Sequence, residues 1–152
     1  MSAKISIKEV VGTLEMLSDE VDFFLNSKTG EIRPVTQEDR FLLERNRSPE
    51  DLPAWQREEL PLLRAVFESD EWLELPDRTD IHEWSIMERF SHAQHGEVRD
   101  QLTHAIHGRG AFRAFRQAVD RLGLRDSWFA FRYAALEEIA RDWLEAHHLP
   151  FE

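Results

Sequence analysis

The stretch GRGAFRAFRQAVDRLG, residues 108–123, combines a glycine-flanked helix start, an apolar stripe and a row of arginines. Glycine allows turn conformations and alanine favours a helix, so we expect a helix to begin near Gly110 or Ala111. Gly123 is the expected glycine at its C-terminal end. Four apolar residues recur at spacings of three and four and therefore share one face of this helix: Phe112, Phe115, Val119 and Leu122.

The arginines follow a similar spacing on another face, at positions 109, 113 and 116. A helix N-terminus offers unpaired N–H groups and the positive end of the helix dipole, and arginine recognises phosphate or carboxylate through two parallel hydrogen bonds. The alternative is that these arginines pair with the acidic residues of the rest of the chain. The sequence thus predicts an anion-binding site formed by Gly108, Arg109, Gly110, Arg113 and Arg116.

A second helix is expected to follow directly, with Asp126 or Ser127 as its N-cap and Pro150 beyond its end. Its first part, WFAFRYAAL, is apolar almost all round, which predicts a helix buried at the centre of a domain. Because the two helices are joined by a short turn, we expect three aromatic residues on their faces to be deeply buried: Phe112, Phe115 and Trp128.

The N-terminal part of the chain predicts a helix followed by a small antiparallel hairpin. Residues 5–17 have a helical apolar pattern, and Val21, Phe23 and Leu25 alternate with more polar positions, as in a half-buried strand. The segment NSKTG, residues 26–30, is a turn sequence, and residues 31–35 return as a second strand in which Pro34 indicates an edge.

Further elements are predicted by capping and apolar patterns. Thr36 and Asp39 form a capping box for a short helix through Arg45, and Asp80 and Glu83 form a second box at the start of a helix. Pro61 predicts a break or a helix start within the apolar pattern of Trp55 to Phe67. The remaining predicted segments are a loop at 46–53, a short third strand near 72–75, and helices at 81–92 and 97–107.

Composition limits the classes of protein to which this chain can belong. The 152 residues carry a net charge of −11, contain no cysteine and are 41% hydrophobic. These values indicate a folded chain without disulfides or thiol chemistry, and we expect a single domain over residues 1–152. No apolar run is long enough to span a membrane, and the N-terminal residues lack a signal-peptide pattern, so a cytoplasmic location without membrane partners is expected.

The charge is unevenly distributed along the chain. Residues 108–132 contain six arginines and two aspartates, a net charge of +4, so the remainder carries −15. A chain this acidic repels phosphates as a whole, and general nucleic-acid binding is therefore not expected. The basic segment remains suited to one anionic small molecule or to an acidic protein surface.

Two histidine pairs offer a different kind of site. His92 and His95, and likewise His104 and His107, are spaced at i, i+3, which can place two imidazoles on one side of a helix. With Glu88 or Asp100 they could bind zinc or another divalent ion. The simpler interpretation is that histidines near helix ends interact with the dipole and the last carbonyl groups.

Several segments together resemble the uncharacterised bacterial protein family 0158. The similarity covers nearly the whole chain in order, and its central pattern is G-x-G-x-F-x-x-F, here Gly108, Gly110, Phe112 and Phe115. The resemblance implies a shared small fold, and it brings no established activity or catalytic residue. The segments that carry it are LEMLSDEVDFFLNSKTGEI, LPAWQREEL, LPDRTDIHEWSIMERF and HGRGAFRAFRQAVDRLGLRDSWFAFRYAALEEIARDWLE.

These observations predict a mainly helical α+β domain in which an N-terminal helix and a small antiparallel hairpin pack on a helical body. The leading hypothesis for function is a cytoplasmic, non-enzymatic binding or regulatory module without a cofactor. It would use residues 109–116 on an anionic ligand or an acidic partner. The alternative is a small metal-dependent hydrolase using histidines and acids of residues 82–107. A third hypothesis is a subunit whose exposed apolar faces form an oligomer.

Overall fold

The computed structural model describes residues 4–44 and 52–152. They form an α+β fold that is mostly helical and includes one small antiparallel sheet, as the sequence predicts. The chain divides into two compact units, Met1–Asp77 with Ala140–Glu152 and Arg78–Ile139. The expected single domain stays a prediction, and Arg45 with most of the expected 46–53 loop lies outside the described residues.

The first unit begins with helix α1, Ile7–Glu15, inside the predicted segment. Ser6 caps it, since its hydroxyl oxygen accepts a hydrogen bond from the Glu9 N–H at 3.2 Å. Ile5, just before the helix, forms a parallel bridge with Phe151 and is fully buried. The two ends of the described chain are thereby held in one unit.

The sheet consists of β1 (Val21–Asn26), β2 (Ile32–Thr36) and β3 (Trp72–Glu74) in the order β2-β1-β3. The hairpin, its turn and the third strand are confirmed. Pro34 lies on the edge strand β2, where its missing N–H costs no ladder hydrogen bond. Phe24 is buried as well as Leu25, because it packs against Leu63, Val66 and Phe67 of a helix that follows the hairpin, so the simple alternation expected for this strand is incomplete.

Helices α2 (Gln37–Glu44) and α3 (Ala54–Glu68) follow the sheet. The predicted box before α2 is confirmed in both directions: the Thr36 N–H donates to Asp39 Oδ2 at 2.9 Å, and the Asp39 N–H donates to Thr36 Oγ1 at 3.1 Å. The prediction of a break or start at Pro61 is wrong, because α3 continues through this exposed proline. Packing of the apolar face outweighs one lost hydrogen bond, and the core cluster of this unit contains Phe24, Val35, Leu63 and Val66.

The second unit contains α4 (Arg78–Ile81), α5 (Glu83–His92), α6 (Gly96–Ile106), α7 (Ala111–Arg121) and most of α8 (Arg125–Ala146). The predicted Asp80–Glu83 box is wrong, because Asp80 lies inside α4 and the left-handed His82, at φ 52°, separates α4 from α5. The other predicted helices of this region are present. Within residues 4–44 and 52–152, no helix is both long and apolar enough to cross a membrane.

Helix α8 differs from its prediction in two ways. Its cap is neither Asp126 nor Ser127, because the Leu124 carbonyl already accepts the first helical hydrogen bond, from the Trp128 N–H at 2.8 Å. The expected burial all round is also wrong, since Phe129 is 53% exposed and Tyr133 is exposed beside it. The buried hydrophobic residues of α8 are Trp128, Ala135, Leu136, Ala140 and Leu144.

Candidate functional site

The turn between α6 and α7 positions the predicted anion-binding residues. Helix α6 ends at Ile106, and residues 107–110 form the turn. Gly110 is the N-cap of α7 and has a left-handed backbone, φ 63° and ψ 39°, which explains glycine at this position. The Gly110 carbonyl accepts the first helical hydrogen bond, from the Ala114 N–H at 2.9 Å. Helix α7 therefore begins where the sequence predicts.

The three predicted arginines are all exposed to solvent. Arg113 and Arg116 lie on the first two turns of α7, whereas Arg109 lies in the preceding turn rather than on the helix. Within the described ranges no side chain caps the N-terminus of α7, and the first turn of this helix contains no acidic residue. These arginines and the adjacent Phe112 are called the basic surface below.

The acidic residue of α7, Asp120, lies one helical turn beyond Arg116 and has a different partner. Asp120, two helical turns from Arg113, approaches Arg125 at 4.0 Å between Oδ1 and Nε. Within residues 4–44 and 52–152, no ion pair or side-chain hydrogen bond engages Arg109, Arg113 or Arg116. The guanidinium groups are thus available to a carboxylate or phosphate from outside this part of the chain.

Phe112 is 42% exposed, so the prediction that it is deeply buried is wrong. Phe115 and Trp128 are buried as predicted, at 1% and 6% exposure. The difference arises because the rings of the core meet Phe115 one turn further along α7, while the aromatic contacts of the described residues do not include Phe112. The basic surface consequently combines three cationic side chains with an exposed aromatic ring.

The surroundings of the glycines show how open this surface is. Among the described residues, and apart from the adjoining chain, no atom lies within 4 Å of a side-chain carbon placed at Gly108 or Gly110. The helix start is therefore not walled in by neighbouring backbone, unlike loops that enclose a phosphate. Gly110 contributes its backbone conformation, and Gly108 contributes an open position in the turn.

A cluster of aromatic rings underlies α7 and holds it in place. Phe115 lies 4.8 Å from Trp128 between ring centroids, and Phe90 lies 6.1 Å from Phe115 and 5.3 Å from Trp128. All three contacts are edge-to-face, the favoured geometry of aromatic pairs. The basic surface is thus carried by a helix with a tightly packed inner side.

The histidine pairs are not brought together as a metal site. His92, His95, His104 and His107 are all exposed. His95 is the N-cap of α6, and the His107 ring packs against Trp84 at 5.8 Å between centroids. In the part of the chain that the structure describes, no group of three or more histidine, aspartate or glutamate side chains could hold a metal ion. No geometric observation therefore favours the hydrolase alternative.

Sequence reasoning missed the ion pair between Glu83 and Arg132. Arg132 Nε donates to Glu83 Oε1 at 2.7 Å, and both side chains are about one-fifth exposed, at 21% and 20%. Glu83 Oε2 is buried and has no hydrogen-bond partner within the described residues. The two residues are 49 positions apart, on α5 and α8, and no local pattern indicates such a pair. Its place between two helices is that of a structural contact.

Comparison with known proteins yields no matching family model, no matching curated protein and no matching solved structure, so the resemblance to family 0158 remains a prediction.

Proposed function

We propose that this chain is a non-enzymatic binding module whose basic surface docks on an acidic protein partner. The observation that carries the proposal is the exposure of Arg109, Arg113 and Arg116 without a carboxylate partner in the described residues. In a chain of net charge −11, these arginines have many acidic residues with which they could pair. Their separation from those acids supports an external role.

The form of the surface favours a macromolecular partner over an enclosed small anion. The turn around Gly108 and Gly110 is open, and the arginines are spread over a turn and two helical turns. Exposed aromatic and arginine side chains are also the residue types enriched in protein–protein interfaces. Phe112 can contribute apolar contact area while the arginines bind carboxylates. A cytoplasmic location, as expected from the sequence, belongs to the same proposal.

A labelled hexaglutamate peptide tests this function, with inorganic phosphate as a second probe. We expect fluorescence anisotropy to show binding of the peptide to the full chain. The variant R109Q/R113Q/R116Q should lose at least tenfold in affinity, because arginine supplies the paired donors. The control R89Q/R99Q changes two exposed arginines elsewhere in the second unit and should bind like the parent protein.

Stability is measured on the same samples. Exposed substitutions change the free energy of unfolding by less than about 0.5 kcal/mol, so the triple variant should unfold at nearly the same urea concentration as the parent. If inorganic phosphate binds the chain as tightly as the hexaglutamate peptide does, the basic surface is a small-anion site. Peptide binding that survives in the folded triple variant would refute the proposal.

A further inference from the structure

Helix α3 carries an exposed stripe that combines apolar and acidic side chains. Trp55 is 63% exposed and Leu62 is 49% exposed, an unusual degree of exposure for large apolar residues within one helix. Glu58 and Glu59 lie between them and are exposed as well. Because the four positions are spaced i, i+3, i+4 and i+7, they share one helix face. This face is called the acidic stripe below.

Among the described residues, no cation forms an ion pair with the glutamates of the acidic stripe. Arg57 and Arg64, the arginines of α3, fall by helical spacing on the side opposite Trp55. No ion pair of Glu58 or Glu59 occurs among residues 4–44 and 52–152. The stripe therefore presents two carboxylates without an ion pair in this part of the chain, beside a large aromatic ring.

We propose that the basic surface of one copy of this chain binds the acidic stripe of a second copy. This inference rests on the proposed function and names its partner. Each surface pairs an exposed aromatic ring with charges of one sign, and the signs are opposite: three arginines with Phe112 on one, two glutamates with Trp55 on the other. Burying both rings in one contact removes apolar area from water on two molecules at once.

The spacing within the two helices fits such a contact. Trp55 and Glu59 are four residues apart on α3, and Phe112 and Arg116 are four residues apart on α7. When the two helices lie side by side with parallel directions, the rings meet and the Glu59 carboxylate faces the Arg116 guanidinium. Charge-paired contacts of this geometry also specify the register of the helices.

Each copy carries both surfaces, so the contact can be exchanged between two copies or repeated from copy to copy. In either case self-association depends on both surfaces. Sedimentation velocity of the full chain should show an average mass that rises with protein concentration. The variants R113E/R116E and E58R/E59R should each remain monomeric, because like charges then oppose each other.

A mixture of the two variants tests whether complementary charges restore association. In this mixture, the reversed, acidic α7 of R113E/R116E faces the reversed, basic α3 of E58R/E59R. The unchanged acidic α3 of R113E/R116E faces the unchanged basic α7 of E58R/E59R. Association should return in the mixture with equal amounts of both chains. Recovery of association also shows that neither variant has failed through unfolding. If a charge reversal prevents folding, the neutralised variants R113Q/R116Q and E58Q/E59Q replace the reversed ones.

Matched controls reverse exposed charges elsewhere in the same units. E15R/E20R in the first unit and R89E/R99E in the second should associate like the parent protein. A parent protein that stays monomeric at every concentration overturns the inference. So does association that persists in R113E/R116E or E58R/E59R, or a folded mixture that stays monomeric. Hexaglutamate binding by a monomeric parent would overturn only this inference and leave the proposed function intact.

Discussion

The ring of Phe115 meets the ring of Trp128 edge-to-face, with centroids 4.8 Å apart and planes inclined at 79°. This contact joins α7 to α8 across the short turn at residues 122–124. The turn itself is closed by the Leu124 N–H, which donates to the Val119 carbonyl at 2.9 Å, with Gly123 in a left-handed conformation at φ 71°. This aromatic pair and this glycine turn therefore help to fix the helix that carries the basic surface.

Truncation of Phe115 should be far more costly than truncation of Phe112. We expect Phe115→Ala to lower the free energy of unfolding by about 3–5 kcal/mol, because a buried ring leaves a cavity among Phe90 and Trp128. Phe112→Ala should cost less than about 1 kcal/mol, since this ring is already partly in water. Urea denaturation followed by tryptophan fluorescence measures both. Equal losses would place the two rings in similar environments and contradict the structure.

The ion pair of Glu83 and Arg132 should contribute measurably to stability. A double-mutant cycle with Glu83→Gln and Arg132→Met should give a coupling energy of about 1–3 kcal/mol, because both side chains are largely shielded from water. The exposed pair of Lys4 and Glu152, at 63% and 70% exposure, is the control and should couple by less than about 1 kcal/mol. A coupling near zero for Glu83 and Arg132 would show that their contact is not maintained in solution.

Replacement of Pro61 by alanine should stabilise the first unit. Pro61 lies within α3 and cannot donate a hydrogen bond to the Arg57 carbonyl four residues earlier. Alanine restores this donor, and we expect a gain of about 1–2 kcal/mol, partly offset by the greater freedom of the unfolded chain. Leu62→Ala, at an exposed neighbouring position, provides a control for changes on this helix. A loss of stability in Pro61→Ala would indicate that the proline shapes α3 in a way the core requires.

Local patterns predicted the elements whose determinants are close in sequence. The NSKTG turn, the reciprocal box of Thr36 and Asp39, and the Gly123 end of α7 each depend on residues within a few positions of one another. The missing N–H of Pro34 likewise predicted that its strand lies at an edge of the sheet. In these cases the chemistry of the residues is sufficient to define the local structure.

Predictions that depended on distant neighbours were less accurate. The apolar pattern of α7 and α8 does not specify which face is covered, so Phe112 and Phe129 were expected inside and are exposed. Glu83 was expected to cap a helix, and its carboxylate is instead paired with Arg132, 49 residues away. Helix α3 continues through Pro61 because the packing of Leu60 and Leu63 fixes both sides of it.

At the candidate site, too, features with local determinants were predicted and features that depend on distant residues were not. Sequence reasoning located Arg109, Arg113 and Arg116 and the start of their helix at Gly110. It left open whether these arginines pair with acids of the chain, since pairing depends on how remote segments approach. Their exposure and lack of partners in the described residues are structural observations. The exposed aromatic rings of the two proposed surfaces are likewise visible only once burial is known.

The most direct measurement is the map of amide chemical shifts when hexaglutamate is added to the isotopically labelled chain. We predict that the perturbed amides cluster at residues 108–117, at the turn before α7 and its first two turns, and that R109Q/R113Q/R116Q abolishes the perturbations. Perturbations centred on other parts of the chain, or unchanged in the triple variant, would contradict the assignment of binding to the basic surface.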